Sequence, residues 1–122
     1  MTIIYIAGPM TGLPDDNKPA FRRLAFELRI CGHTVLNPAE NTTPPCGGTW
    51  SGWMRLALPQ LAASEAVALL PGWTRSDGAL WEYANARRLG IPAVPVDGAE
   101  GPTPDIDAAI TAVFALTSGA KK

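Results

Sequence analysis

A chain of 122 residues, 47% apolar and 17% charged, can build one core, and residues 1–122 are expected to form one domain that needs no metal or disulfide to fold. Its net charge of −1, with no basic stripe, excludes duplex nucleic acid as a partner, because neutralising phosphates takes clustered Lys and Arg; free nucleosides and nucleotides stay admissible. Cys31 and Cys46 belong to no CxxC pair and His33 is the one histidine, so a four-ligand structural zinc site is excluded, and neither metal nor cofactor is expected.

Cys31 is expected to pack as a small apolar residue at a helix end, not to pair with Cys46. The N-terminus enters a strand at once, without a basic leader, and the apolar stretches are too short to span a bilayer. The expected compartment is the cytoplasm, with no membrane partner.

Ile3-Ile4-Tyr5-Ile6-Ala7 is a nearly continuous apolar run that fits a central parallel strand covered on both faces. A loop, Gly8-Pro9-Met10-Thr11-Gly12-Leu13-Pro14, follows. Asn17 is placed to cap a helix with Lys18 and Pro19 in its first turn, and Phe21, Leu24, Ala25 and Leu28 recur at helical spacing until Gly32. Residues 33–36 read as a short second strand, stopped by Asn37-Pro38. Residues 40–50 read as an irregular loop, and loops of this length in small domains often carry function.

Trp50 to Ala63 reads as a helix that Pro59 kinks or restarts. Residues 66–70 form a buried third strand, and a helix from about Gly78 to 89 ends at Gly90. The prolines in residues 91–96 suggest a fourth strand at or near a sheet edge. Residues 97–104 form a Gly/Pro loop, and Asp105 or Asp107 opens a last helix through about Leu116, with a frayed end from Ser118. This order predicts an α/β, three-layer flavodoxin-like or Rossmann-like fold with a four- to five-stranded parallel sheet.

In such a sheet, ligands bind past the carboxyl ends of the strands. Glu82 therefore attracts attention. It is expected in the first turn of the helix after strand three, facing that crevice, with the helix dipole helping to keep it ionised. A carboxylate there can serve as nucleophile or base, although most glutamates on helices are simply solvated. Gly8, Pro9 and Met10 lack the spacing of a dinucleotide or P-loop motif, yet they lie where backbone N–H groups can approach a phosphate or sugar. Ser76 or Asp77 is either a helix N-cap or, for Ser76, a donor to a phosphate at the same terminus. Glu65 precedes strand three and so belongs at its amino end, unless the preceding helix bends it toward the site, and an exposed helix-end glutamate is the plainer reading. Trp50 or Trp73 could wall a base pocket, whereas Trp53 and Trp81 are expected in core or dimer packing.

Three segments carry a family resemblance: Tyr5-Ile6-Ala7-Gly8-Pro9-Met10; Asn37-Pro38-Ala39-Glu40; and Leu70-Pro71-Gly72-Trp73 joined to Gly78-x-x-x-Glu82-Tyr83-Ala84. Over residues 3–96 the chain resembles the small nucleoside 2-deoxyribosyltransferase-like proteins, and most of all an uncharacterised phage and bacterial subgroup of them. The resemblance implies a homo-oligomer acting at the anomeric carbon of a nucleoside or nucleoside 5′-monophosphate. It implies that Glu82 attacks C1′, that Tyr5 hydrogen-bonds near it, and that Gly8, Pro9 and Met10 line the sugar or 5′-phosphate. It further implies a phosphate contact from Ser76, with Asp77 and Gly78 beside it. Where the family usually has an aspartate that positions sugar and base, this chain has Glu65. Cleavage or transfer of the N-glycosidic bond is the expected activity. A non-catalytic nucleotide-binding sensor or accessory protein is the alternative, and a structural or interaction role resting on the tryptophans is the third.

Overall fold

Side-chain alternation on β1 (Ile3–Ala7) divides the interior in two in the computed structural model, which describes residues 2–41, 48–102 and 105–119, the last stretch with side chains through Phe114. Tyr5 and Ala7 point into one apolar cluster and Ile6 into another, as the two-residue period of a strand requires. β3 (Ala66–Leu69) repeats the pattern, with Val67 and Leu69 on the Tyr5 side and Leu70, just past the strand, on the Ile6 side. The core on the Tyr5 side is closed by α2 (Trp50–Ala63), α3 (Asp77–Arg88) and α4 (Ile106–Gly119). On the Ile6 side it is closed by α1 (Lys18–Ile30), which contributes Phe21 and Ala25.

With β2 (Thr34–Leu36) and β4 (Ala93–Pro95), the sheet has four strands in the order β2-β1-β3-β4, all parallel. This is an α/β, three-layer flavodoxin-like arrangement. In the register, Tyr5 stands opposite Leu36 on one side and Val67 on the other. The chain leaves β1 for β2 in one direction and returns across it to β3, so the strand order reverses between β1 and β3. The carboxyl ends of those two strands therefore flank the switch-point crevice of the fold.

β4 lies at the edge of the sheet, where Pro95 needs no N–H for a further neighbour. Pro59 neither restarts nor divides α2, which runs unbroken from Trp50 to Ala63. Pro59 and Arg55 are both exposed, so the carbonyl that loses its partner can bond to water. α4 continues to Gly119, beyond the expected fraying at Ser118. Cys31 is an exposed free thiol at the C-terminal cap of α1, a correction to the expected packed position: it falls off the Phe21–Ala25 stripe that faces the sheet. Residues 42–47 of the expected loop, Cys46 included, and residues 103–104 of the later one lie outside the described residues. Among the described residues no helix is long and apolar enough to cross a membrane.

Candidate functional site

Tyr5 is fully buried in the middle of β1, and its hydroxyl donates a hydrogen bond to Oε2 of Glu82 on α3. The fold makes this pairing because Tyr5 points to the face that α3 covers. α3 begins at Asp77, which puts Glu82 in the second turn and not the first. There its side chain turns inward onto β1 and is 5% exposed. Burial pushes its carboxyl up to about 8, against the pull of the Tyr5 hydrogen bond, which favours the charged form. The expectation that the helix dipole holds Glu82 ionised is thus corrected, because removing a carboxylate from water outweighs a terminal dipole. Burial, and next the adjacent Glu82, drive the Tyr5 phenol well above its ordinary range.

The loop leaving β1 sits close against the turn leaving β3. A Cβ on Gly8 would lie 2.7 Å from Cβ of Leu70, so only glycine fits there without movement. The Pro9 carbonyl accepts from Nδ2 of Asn17 at 2.8 Å, which ties the loop to the start of α1. Met10 packs into the Ile6-side cluster. Asn17 itself adopts φ 59° and caps α1 without a side-chain bond to the helix.

Ser76 is the N-cap of α3, with its Oγ accepting from the Ala79 N–H at 3.1 Å. The hydroxyl proton of Ser76 is not used in that bond. Asp77 is exposed in the first turn. Gly78 faces the start of α2, where an added Cβ would stand 3.5 Å from Cε of Met54 and 3.8 Å from Nε1 of Trp50.

Trp73 is corrected from pocket wall to core residue. It is fully buried, its indole N–H donates to the Glu100 carbonyl at 2.7 Å, and its ring packs on Tyr83 with centroids 4.8 Å apart. The aromatic that keeps exposed surface near the start of α3 is Trp50, which is 36% exposed and meets Trp81 edge-on at 6.2 Å. Trp53 and Trp81 are half-buried.

Glu65 is not brought to the Tyr5–Glu82 pair. It is exposed at the amino end of β3, and its Oε1 accepts the Ile3 N–H at 2.9 Å. Its carboxylate is thus engaged at the start of the sheet. In Asn37-Pro38-Ala39-Glu40 the side chains likewise hold structure. Asn37 accepts from the Ala39 N–H, and Glu40 takes both guanidinium nitrogens of Arg29 at 2.8 and 2.9 Å.

Sequence reasoning passed over Glu100. It lies in the loop after β4, and the Thr74 hydroxyl above all, with the Gly72 N–H and Arg75, brings its carboxyl down to about 2. No spacing motif links Glu100 to residues 72–75, and only the parallel pairing of β3 with β4 could have suggested it. A separate cavity of about 320 Å³, lined by Tyr83, Arg87, Gly90, Ile91, Pro92 and Ala93, opens at the amino end of β4, away from the carboxyl edge. Among the described residues, no three or more His, Cys, Asp or Glu side chains are grouped to hold a metal ion.

The arrangement therefore offers a buried carboxyl poised between its two protonation states, oriented by a phenol and set on a helix that starts at the carboxyl edge of the sheet. Such a group can attack an electrophilic carbon when ionised or exchange a proton near neutral pH. No curated protein and no solved structure gives a match to this chain. The family model described as Domain of unknown function (DUF4406) matches residues 2–95, more than half of the chain, and the protein belongs to that family.

Proposed function

We propose that this domain binds a nucleoside or nucleoside 5′-monophosphate and cleaves or transfers its N-glycosidic bond, with Glu82 as the nucleophile. The observation that carries the reading is the buried Tyr5–Glu82 hydrogen bond between β1 and the helix after β3, the two strands between which the order reverses and past whose carboxyl ends such folds bind ligands. The ionised Glu82 oxygen forms the bond to C1′ as the bond from C1′ to the base nitrogen breaks, and the departing base keeps that electron pair and takes up a proton from solvent, which the incoming water or base gives back in the second step. A glycosyl ester on Glu82 results. Water or a second base then displaces the carboxylate, and two inversions give net retention. The transition state carries positive charge at the anomeric centre, which favours the ionised form of Glu82. Tyr5 holds one oxygen of the carboxylate, leaving the other for C1′. Ser76, whose cap bond to the Ala79 N–H does not use the hydroxyl proton, supports a contact to phosphate or sugar at the start of α3.

One observation favours a second reading, a non-catalytic nucleotide-binding protein. The carboxylate of Glu65 bonds to the Ile3 N–H instead of standing near the pair, so Glu65 does not serve there as a second acid for Glu82.

The experiment is chromatography of free base released from ribo- and deoxyribonucleosides and their 5′-monophosphates, with and without an acceptor base, beside Glu82→Gln. Release that disappears in the variant supports the glycosidic reading. Full turnover by Glu82→Gln overturns the assignment of the nucleophile. Binding of a nucleotide by folded protein with no base released favours the second reading.

A further inference from the structure

The chain leaving β4 doubles back over the carboxyl edge of the sheet. Gly98 takes φ 84°, and the Ala99 N–H closes a turn on the Val96 carbonyl at 2.9 Å. That turn delivers Glu100 to the segment leaving β3, where it meets four consecutive residues. Its Oε1 accepts the Gly72 N–H at 2.9 Å, and its Oε2 accepts the Thr74 hydroxyl at 2.6 Å. The Arg75 guanidinium lies 3.7 Å from the same Oε2, and the Glu100 carbonyl accepts the Trp73 indole N–H at 2.7 Å.

We propose that Glu100 is a positioning residue: its carboxylate clamps the β3–α3 turn at Gly72 and Thr74 and thereby sets where α3 begins and where Glu82 lies. Ser76, the cap of α3, follows the clamped residues directly. Trp73 supplies a second route, since its ring packs on Tyr83, the neighbour of Glu82. The clamp also reaches β1. Gly72 takes φ 87°, and a Cβ there would stand 3.1 Å from Cγ of Pro9, so the turn is held directly against the loop that leaves the strand of Tyr5. Glu100 thus joins the three loops that follow β1, β3 and β4.

A turn that merely connected β3 to α3 would not need this. Glu100 and Arg75 both keep exposed surface, with side chains 30% and 80% exposed, and water could satisfy the same donors. Committing one carboxylate to two donors and a guanidinium within a single turn fixes that turn in place. Catalytic groups depend on such placement, since a shift of about 1 Å can cost on the order of 100-fold in rate.

The kinetic part of this inference rests on the glycosidic reading of Glu82, and the structural part does not. The test uses Glu100→Ala and Glu100→Gln in the full chain, with amide hydrogen exchange and base-release kinetics. Both variants keep the backbone carbonyl that receives the Trp73 indole, so an unchanged indole N–H resonance reports a folded protein with its loop docked. In Glu100→Ala, exchange at Gly72, Ala79 and Leu80 should rise at least ~10-fold, and kcat should fall at least ~10-fold with KM changed less, the signature of lost placement and not lost binding. Glu100→Gln, which keeps one acceptor oxygen, should fall between.

Unchanged exchange in Glu100→Ala overturns the clamp. Raised exchange with unchanged kcat overturns its positioning role. If the wild-type protein releases no base, the glycosidic reading fails on its own. The clamp is then judged by exchange at Ala79 and Leu80 alone: a rise supports it and no change overturns it.

Discussion

The Tyr5 hydroxyl and the Glu82 carboxylate meet inside the protein across 77 residues of sequence. The strand brings the phenol, the helix brings the acid, and both side chains are buried. Burial holds the folded Glu82 proton up to about pH 8, whereas the ordinary carboxyl value is 4.5. Between those values the unfolded chain binds fewer protons than the folded one, so stability is full below about 4.5 and falls as pH rises to about 8. Glu82→Gln cannot ionise and should lack that slope. Relative to wild type it should gain on the order of 4 kcal/mol between pH 4.5 and 8. Urea unfolding across this range checks it, and parallel curves for the two proteins would contradict the raised Glu82.

Tyr5→Phe removes the hydrogen bond that pulls Glu82 toward its charged form. The Glu82 carboxyl should therefore titrate at still higher pH. If the ionised acid is the nucleophile, activity rises with pH through about 8 in the wild type and through a higher value in the variant. The variant should also lose about 1–3 kcal/mol of stability, because it leaves a buried acceptor unpaired. A pH–rate profile beside a melting curve measures both. A rate limb that stays in place would show that Tyr5 does not govern Glu82.

Much of this framework is legible in the sequence. The apolar runs at 3–7 and 66–69 mark buried parallel strands, and the prolines at 92 and 95 mark an edge. The pairing of Tyr5 with Glu82 came from resemblance, whereas strand-end logic pointed to Glu82 alone and placed it one helical turn too early. The electrostatic state of Glu82 was not legible, because it depends on how deeply the second turn of α3 presses onto β1. The place of Trp73 was hidden for a similar reason. Its burial is completed by a carbonyl 27 residues further on, which no local pattern announces. Pro59 does not start a new helix within α2, since the carbonyl it frees lies on an exposed stretch of the helix and can bond to water.

Two glycines at the carboxyl edge separate close packing from open space. Gly8→Ala places a methyl group 2.7 Å from the Cβ of Leu70, an atom that moves only with its backbone. It should cost about 1–3 kcal/mol, as overpacking does. Gly78→Ala meets Met54 at an ordinary 3.5 Å and gains helix propensity, so it should be neutral or stabilising by up to about 1 kcal/mol. Chemical denaturation of both variants checks the contrast. Equal effects would mean that the loop leaving β1 can move away from Leu70.

Glu100 predicts an acid limb opposite in sign to that of Glu82. The Thr74 hydroxyl first, then the Gly72 N–H and Arg75, lower its carboxyl from 4.5 to about 2. Its contribution to stability is therefore present above about 4.5 and is lost as pH falls through about 2. The side chain is 30% exposed, so water screens the interaction and the contribution should be about 1–2 kcal/mol, not the larger figure the full shift would imply. Glu100→Gln should be less stable than wild type by that amount at neutral pH. The gap should close on acidification, because the variant has no charge there to lose. Melting temperatures of both proteins from pH 7 to 2 provide the check, and a gap that persists undiminished at pH 2 would mean that the charge of Glu100 contributes nothing to holding the β3–α3 turn.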